Sequence, residues 1–475
     1  MERFTLISIL FIVSVFTAFS NSNHDQYYDT VNVRKDFFFD KNLDFTVLKE
    51  FSEIVSDDGR DVGIIFSKWD NGYDIAFYPA TNGKNNYKTY GRIVYRFDTN
   101  KKLLLVKVFF LENNDSYLLF KNVQKKEFDV ILLGKVFKSG IKYYFDIEKL
   151  KFLPFYSIIS ILDEQKLNEE VLIKENDYDI KIKFINQIII PSLSPYSNDG
   201  AINDFNEYVS INSLEPLKET ENGLNCSGFI KEIYDRYLMK INNTDKRSQI
   251  DILKKRNFSD ENYSRIQNAR YEFTEDPYFG KDWMENLNTL FNNNTPLLSD
   301  KAIEIKDDLY SPYYKNRGFG IDDIAHILFR DQLKYPHFFY VIVFNKYASY
   351  SSLIPKFYHM TTIVPYSRGK KFILRVFESG EETDYGKLVR NHLTQSFTRD
   401  TFENEILIKK LALLEKDDVA LLKKNYIQTK NKRFYNLNIS TSEDDIFKIS
   451  RIFSKIDHNE EKVLIYKIPI SYHFY

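Results

Sequence analysis

The chain has almost no cysteine, since Cys226 is the only one among its 475 residues. A disulfide bond within the chain needs two cysteines, so folds held together by internal disulfides are excluded. The sulfur is therefore a free thiol, one half of a bridge to another molecule, or a nucleophile. A small buried cysteine without a chemical role is the plainest alternative, because free cysteines are often buried.

The chain also has no excess charge of either sign, with 66 lysines and arginines against 67 aspartates and glutamates. This balance gives no indication of a nucleic-acid partner. Long uncharged runs are missing after the N-terminus, so no membrane span is expected beyond it.

Residues 1–20 predict a signal peptide, because an apolar run from Leu6 to Phe19 ends in the cleavage pattern Ala18-Phe19-Ser20. The protein is therefore expected to be exported, either periplasmic or secreted. An uncleaved anchor is the alternative, although the run is short for a span of about 20 residues.

Residues 21–190 predict an N-terminal β-rich domain. Residues 21–60 are polar, with one short helix expected around Leu48–Val55, and short stretches rich in Val, Ile, Phe and Tyr follow, separated by turn residues. Such regular spacing is typical of an antiparallel sandwich or barrel. The predicted strands are Val62–Trp69, Tyr73–Tyr78, Gly91–Phe97, Leu103–Leu111, Tyr117–Phe120, Phe128–Phe137 and Ile141–Phe145.

A linker is predicted at residues 191–204, because Pro191–Gly200 holds two prolines, three serines and a glycine. Residues 205–475 then form a second domain that mixes helices and strands, so the fold class is α+β. The predicted helices are Lys231–Lys240, Asp260–Glu272, Asp282–Phe291, Thr401–Leu414 and Asp417–Lys424. The predicted strands are Phe338–Phe344, His359–Pro365, Lys371–Phe377 and Val463–Tyr475.

Cys226 is expected at the N-terminus of a helix, because Ser227–Leu238 places Phe229, Ile230, Ile233 and Tyr237 on one face. The helix dipole and the free backbone N–H groups at that end favour a thiolate over a thiol. Gly228 is expected to remove side-chain bulk beside the sulfur. A nucleophilic thiol also needs a base, usually an imidazole.

Seven histidines are available as that base. His359 opens a strand and is followed by a turn and a returning strand, which makes it the leading candidate. His337, just before the strand Phe338–Phe344, is the rival. His326 lies on a predicted helix face and is expected in the core, whereas His392 and His458 lie in charged surroundings and are expected to be solvated.

The sequence Cys226-Ser227-Gly228-Phe229 at a helix start, followed later by a histidine that heads a β-hairpin, resembles the NlpC-type peptidoglycan endopeptidases of the papain-like superfamily. The resemblance implies that Cys226 is the nucleophile, that His359 is the base, and that a polar residue on the returning strand orients the imidazole. Glu378 is the best candidate for that third residue. The implied substrate is a peptide stem of the bacterial cell wall, and no metal or cofactor is needed.

The chain differs from the usual pattern of that family at four points, one of which is that the strand of His359 reads His359-Met360-Thr361-Thr362 where His-Val-Gly-Ile is usual. Asn225 stands where an aspartate usually precedes the cysteine, and Glu378 stands where a histidine, asparagine or glutamine is more usual. The long separation between Cys226 and His359 implies a helical insert at about residues 240–335. Two alternatives remain open. One is a catalytically inactive envelope protein that keeps the same scaffold and binds the wall or a partner through its aromatic-rich β domain; the other is a transglutaminase-like acyl transferase.

Overall fold

The computed structural model divides the chain into two compact units. The first contains residues 1–175 with 367–372, and the second contains residues 176–366 with 373–475. The described residues are 30–39, 50–57, 60–69, 71–80, 89–121, 126–164, 167, 178–255, 277–296, 298, 300–308, 311–314, 316–347, 355–389, 392, 402–403, 426–428, 434–437 and 461–471. The predicted signal peptide and the predicted helices Asp260–Glu272 and Asp417–Lys424 lie outside these ranges.

The first unit is built on an eight-stranded sheet. Its strands are β1 (Phe51–Asp57), β2 (Arg60–Trp69), β3 (Gly72–Ala80), β4 (Ile93–Asp98), β5 (Leu103–Phe109), β6 (Tyr117–Lys121), β7 (Glu127–Leu132) and β8 (Lys135–Lys142). They lie side by side in chain order, and each is antiparallel to its neighbours, as in consecutive hairpins. Buried and half-buried residues alternate along β4, so one face of the sheet forms the core.

Two predictions in this unit are wrong. The region Leu48–Val55 is predicted as helix, but Phe51–Asp57 is strand β1 and pairs with β2 along its whole length. The stretch Phe128–Phe137 is predicted as one strand, but β7 ends at Leu132 and β8 begins at Lys135. Gly134 has a φ of +82°, which a glycine adopts without the steric cost that a Cβ would bring, so the chain reverses there.

This unit also contains three helices: α1 (Val31–Phe39), α2 (Phe155–Ile159) and α3 (Ile161–Glu164). Phe37 of α1 packs on Phe77 of β3. Arg34 of α1 is fully buried, and its guanidinium donates hydrogen bonds to the carbonyl oxygens of Leu150 at 2.8 Å and Leu153 at 2.7 Å. It also donates to the hydroxyl of Tyr95 on β4 at 3.0 Å. One charged side chain therefore fastens α1 to the sheet and to the segment that follows β8.

The second unit contains α4 (Tyr178–Phe184), α5 (Ile190–Ser192), α6 (Cys226–Asn242), α7 (Ile250–Leu253), α8 (Phe279–Asn294) and α9 (Ile324–Lys334). A π-helical turn, Ile185–Ile189, joins α4 to α5. The strands are β9 (Gly200–Ile202), β10 (Tyr208–Ser210), β11 (Ile303–Ile305), β12 (Phe319–Gly320), β13 (Phe338–Tyr347), β14 (Pro355–Arg368), β15 (Lys371–Phe377), β16 (Glu382–Thr383), β17 (Phe402–Glu403), β18 (Tyr426–Gln428), β19 (Phe434–Leu437) and β20 (Lys462–Pro469). The predicted helix Thr401–Leu414 lies outside the described residues except for β17, which is a strand.

The main sheet of this unit has the strand order β11-β20-β13-β14-β15-β16, and β12 pairs with another part of β20. β13 lies between β14 and β20 and is antiparallel to both. Helices α4, α6 and α8 share one hydrophobic core with β13, β14 and β20. Within it, Tyr237 of α6 packs on Phe184 and Phe339 and donates a hydrogen bond to the Pro469 carbonyl at 2.6 Å. The fold class is α+β, and this core fixes α6 against the sheet.

The predicted linker Pro191–Gly200 lies within the second unit, not between the two units, which divide at Glu175. The reason is the apolar segment before it, because Phe184, Ile185, Ile188 and Ile189 are buried in the core of the second unit. Helix α8, which falls in the predicted insert, belongs to the same core through Trp283 and three other buried side chains. Among the described residues, no helix has the length and apolar character that a membrane crossing needs.

We expect Arg34→Met to lower the free energy of unfolding by about 2–4 kcal/mol, because it leaves buried carbonyl oxygens without a donor. Lys35→Met on the same helix is the control, with an expected change within about 0.5 kcal/mol. Urea unfolding of the two variants measures the difference. Equal stability of both variants would show that the Arg34 hydrogen bonds contribute nothing.

Candidate active site

Cys226 is the first residue of α6, as its sequence context predicts. Asn225 before it has an extended backbone, and its side-chain oxygen accepts a hydrogen bond from the Gly228 N–H at 2.7 Å. This is an N-cap, for which asparagine and aspartate serve about equally well. Asn225 therefore performs the capping that an aspartate at this position could perform, without adding a negative charge beside the sulfur.

The first turn of α6 lies directly against β9. The Asn225 N–H donates to the Gly200 carbonyl at 2.9 Å, and a Cβ on Gly228 would lie only 2.1 Å from the same oxygen. Gly228 is therefore required for this close approach of two backbones. The crowding is with Gly200 and Ala201, whereas the sequence predicts a role for Gly228 beside the sulfur.

Helix α8 supports the same turn from another side. The indole N–H of Trp283 donates to the Ser227 carbonyl at 3.1 Å, and Trp283 is fully buried. Gly280 of α8 lies beside β14, where a Cβ would be 3.0 Å from the Phe357 carbonyl oxygen. The start of α6 is thus held by β9 and α8 in a position next to β14.

His359 lies on β14 opposite Phe344 of β13, and Glu378 directly follows β15. The two side chains are joined by a hydrogen bond between His359 Nε2 and Glu378 Oε1 at 2.8 Å. A second bond between the strands, from the Thr361 hydroxyl to the Phe377 carbonyl at 2.8 Å, fixes their relative position at this point. Both side chains are about three-quarters buried, so the pair is reachable from solvent.

The Cys226 thiol and the His359 imidazole lie close enough to interact, and this interaction lowers the pKa of the thiol. Because Nε2 is occupied by Glu378, Nδ1 is the nitrogen left for the sulfur. The structure therefore brings together the three residues that the sequence selects, with the imidazole between a thiol and a carboxylate. This is the arrangement in which a base is oriented by a third group while it activates a nucleophile.

The electrostatics of the pair favour its charged form. Burial raises the pKa of Cys226, but hydrogen bonds to His359, Met360 and Ser227 and the charge of His359 outweigh burial, so that its pKa is lowered. Burial lowers the pKa of His359, but Cys226 and Glu378 outweigh it and raise the pKa to about 9. Both shifts favour the thiolate–imidazolium form of the pair over the neutral form.

A second histidine lies next to this group. His392, which the sequence predicts to be solvated, is only 6% exposed and stacks on Phe344 with ring centroids 3.8 Å apart. Its Nδ1 is within hydrogen-bond distance of Glu461 at 3.1 Å and of the Tyr358 hydroxyl at 3.2 Å. The local sequence around His392 carries no signal for this, because the partners come from β13, β14 and the residue before β20, far away in the chain.

His392 and Glu461 are both expected to be uncharged at neutral pH. Burial lowers the pKa of His392 to about 3, helped by the positive charges of His359 and Lys346. Burial also raises the pKa of Glu461 to about 8, with Lys346 opposing the shift. Of the two histidines His359 and His392, only His359 is therefore expected to carry a positive charge at neutral pH.

The rival base His337 is not part of this group. It precedes β13, whereas His359 pairs with Phe344 near the other end of that strand, roughly 20 Å away. His326 is 1% exposed on α9, in line with the expected core position. His24, His458 and His473 lie outside the described residues.

Within the described ranges, one group of side chains has the donors and the spacing for a metal ion. It consists of His359, Glu378 and His392, which each offer one ligand atom within 4.8 Å of the others. Cys226 is not a member of this group.

The chain has no match among family models, curated proteins or solved structures.

We expect Asn225→Ala to lower the free energy of unfolding by about 1 kcal/mol, because the Gly228 N–H loses its acceptor. Asn225→Asp keeps an acceptor and should change stability by only a few tenths of a kcal/mol at neutral pH. Denaturant unfolding of both variants measures the contribution of the Asn225 cap to the free energy of unfolding. A stable Asn225→Ala variant would contradict the role of Asn225 in holding the start of α6.

Proposed function

We propose that the protein is a cysteine hydrolase with a papain-like domain of NlpC type, which cleaves an amide bond in peptide stems of the bacterial cell wall. The observation that carries the proposal is the imidazole of His359, held between the Cys226 thiol and the Glu378 carboxylate. The resemblance in sequence supports the substrate class. The order of the elements also supports it, since a cysteine at a helix start faces a histidine on an antiparallel strand.

The reaction starts with attack of the Cys226 thiolate on the amide carbonyl carbon. The carbonyl oxygen becomes an oxyanion, which the backbone N–H of Cys226 at the start of α6 is positioned to stabilise, because the first N–H groups of a helix have no partner within it. Collapse of this intermediate breaks the C–N bond, and the His359 imidazolium gives its Nδ1 proton to the leaving amine. The acyl group then remains on sulfur as a thioester.

Hydrolysis of the thioester uses the same imidazole as a base. His359 takes a proton from a water molecule, the hydroxide attacks the thioester, and the carboxylic acid leaves as the sulfur regains its negative charge. Glu378 accepts the Nε2–H bond throughout, which keeps the ring in one orientation and stabilises the imidazolium. Each residue of the group thus has a separate task in one cycle.

The first test concerns the thiolate and needs no substrate. We expect Cys226 to be alkylated rapidly at pH 6, with a rate that changes little up to about pH 9, because the neighbouring imidazolium keeps the sulfur ionised. In His359→Ala the rate at pH 6 should fall on the order of 100-fold, since an ordinary thiol with a pKa of about 8.5 is almost fully protonated there. The rate is measured with iodoacetamide from pH 5 to 10, and the single cysteine gives the signal one source.

The same alkylation measurement on Glu378→Gln and Glu381→Gln distinguishes a specific effect of the Glu378 carboxylate from the loss of any nearby negative charge. Glu378→Gln should slow alkylation at pH 6, because the imidazolium loses the carboxylate that stabilises it, while Glu381→Gln, whose side chain is 68% exposed, should not. A slow reaction with the same midpoint in the parent protein and in His359→Ala would instead identify a structural thiol and favour the binding protein.

The second test concerns the substrate. We expect the protein to release peptide fragments from purified cell wall, with a new amine and a new carboxylate at the cut bond, and Cys226→Ser to release at least about 10³-fold less. Mass spectrometry of the fragments identifies the bond. Addition of a primary amine separates the two acyl-transfer outcomes, because a transglutaminase-like enzyme would form the amine adduct in place of the free acid. A parent protein that binds the wall without cutting it would contradict hydrolysis.

A further inference from the structure

The group formed by His359, Glu378 and His392 has a feature that the hydrolytic cycle does not use. Its ligand atoms converge to within 4.8 Å although they come from β14, from the residue after β15 and from a separate segment. Two imidazoles and one carboxylate are a donor set that zinc uses in protein sites with an open coordination position. The hydrolysis mechanism needs His359 and Glu378 but assigns no task to His392.

The surroundings of His392 are those of a histidine that binds a metal. Metal-binding histidines usually hold their second ring nitrogen in a hydrogen bond to a carboxylate or another oxygen, which fixes the ring. His392 Nδ1 lies 3.1 Å from Glu461 Oε1 and 3.2 Å from the Tyr358 hydroxyl, and the ring stacks on Phe344. The ring is thus oriented before any ligand arrives.

A second observation concerns Glu461 itself. The residue is 4% exposed, and its Oε2 atom has no hydrogen-bond partner among the described residues. A buried oxygen without a partner is costly. Glu461 is uncharged at neutral pH without an ion, and a positive ion on the other ring nitrogen of His392 would favour its ionised form, as in the carboxylate–histidine–metal groupings of other proteins.

We propose that His359, Glu378 and His392 form a binding site for a divalent transition metal ion, with zinc as the best fit to the donor set. The site needs no sulfur ligand from Cys226, and a water molecule takes the fourth coordination position of the ion. The side chains of His359 and Glu378 are 23% and 27% exposed, which gives the ion a route from solvent.

An ion at this site is expected to inhibit the proposed hydrolysis at Cys226. His359 Nε2 cannot bind the metal and also donate to Glu378, so the metal takes the place of the Nε2 proton, which passes to solvent. The metal-bound ring can still carry a proton on Nδ1, but it is a much weaker acid than the imidazolium and gives that proton to the leaving amine less readily. The metal is therefore a reversible inhibitor of the proposed hydrolase, and metal binding itself does not depend on the hydrolytic activity.

The test uses the full chain without an affinity tag and no substrate. Zn²⁺ affinity is measured by competition with a chromogenic chelator, and Co²⁺ is added separately as a spectroscopic probe. We expect one tight ion per chain, visible cobalt absorption of a four-coordinate site, and no intense near-ultraviolet thiolate-to-cobalt band. Cys226→Ser should bind zinc with the same affinity as the parent protein, which separates this site from simple capture of the metal by the thiol.

The ligands are tested with Glu378→Gln and His392→Gln, and Glu381→Gln is the matched control. Both ligand variants should weaken zinc binding by at least about tenfold, since even changes to groups behind the ligands cost about that much, while the control should not. His392 is buried, so its variant is first checked by thermal unfolding. Glu378 is partly exposed, so Glu378→Gln is expected to fold. If His392→Gln does not fold, zinc binding by Glu378→Gln alone decides the test.

Three results would overturn the proposal: no zinc binding above that of the control proteins, equal affinity in Glu378→Gln and the parent, or a strong thiolate-to-cobalt band that disappears in Cys226→Ser. If the metal binds as expected but no cell wall is cut, the metal site stands and the proposed hydrolase fails. If the wall is cut and zinc neither binds nor inhibits, the proposed hydrolase stands and the metal site fails.

Discussion

The close contact between the start of α6 and strand β9 is the constraint on which the site depends. Gly228 lies against the Gly200 carbonyl, where a Cβ would be 2.1 Å from the oxygen, and Asn225 closes the first turn. Trp283 fixes the same turn from α8. Because these contacts hold the helix end next to β14, the sulfur of Cys226 reaches the imidazole of His359.

Burial and pairing act in opposite directions on the charges at this site. Burial alone would leave a neutral thiol and a neutral imidazole, but the hydrogen bonds among Cys226, His359 and Glu378 reverse that preference. His392 has a carboxyl partner too, yet burial prevails there, because His359 and Lys346 add positive charge beside it. Two histidines whose ring centroids lie 5.1 Å apart are thereby given different protonation states. That difference allows one to serve as a proton carrier and leaves the other free as a neutral ligand.

Local patterns in the sequence predict much of this architecture. Strand Lys371–Phe377 has the predicted bounds, the predicted helix Asp282–Phe291 lies within α8, and the predicted helix Ser227–Leu238 lies within α6. These elements carry strong apolar periodicity, which depends only on neighbouring residues. Local patterns do not predict strand β1, because its pairing with β2 decides its conformation, or the reversal at Gly134, because apolar residues continue through it. They also do not predict the burial of His392, because the residues that bury it are remote in the chain.

The sequence by itself determined the identity of the nucleophile candidate, because it holds one cysteine, at a predicted helix start, and it indicated a histidine and a carboxylate on a returning hairpin. Only the tertiary structure decided which histidine meets the sulfur, which ring nitrogen faces the carboxylate, and that His392 lies beside them. The physical reason is that sequence patterns report the conformation of neighbouring residues. Protonation and metal affinity depend instead on burial and on distances between segments that are far apart in the chain.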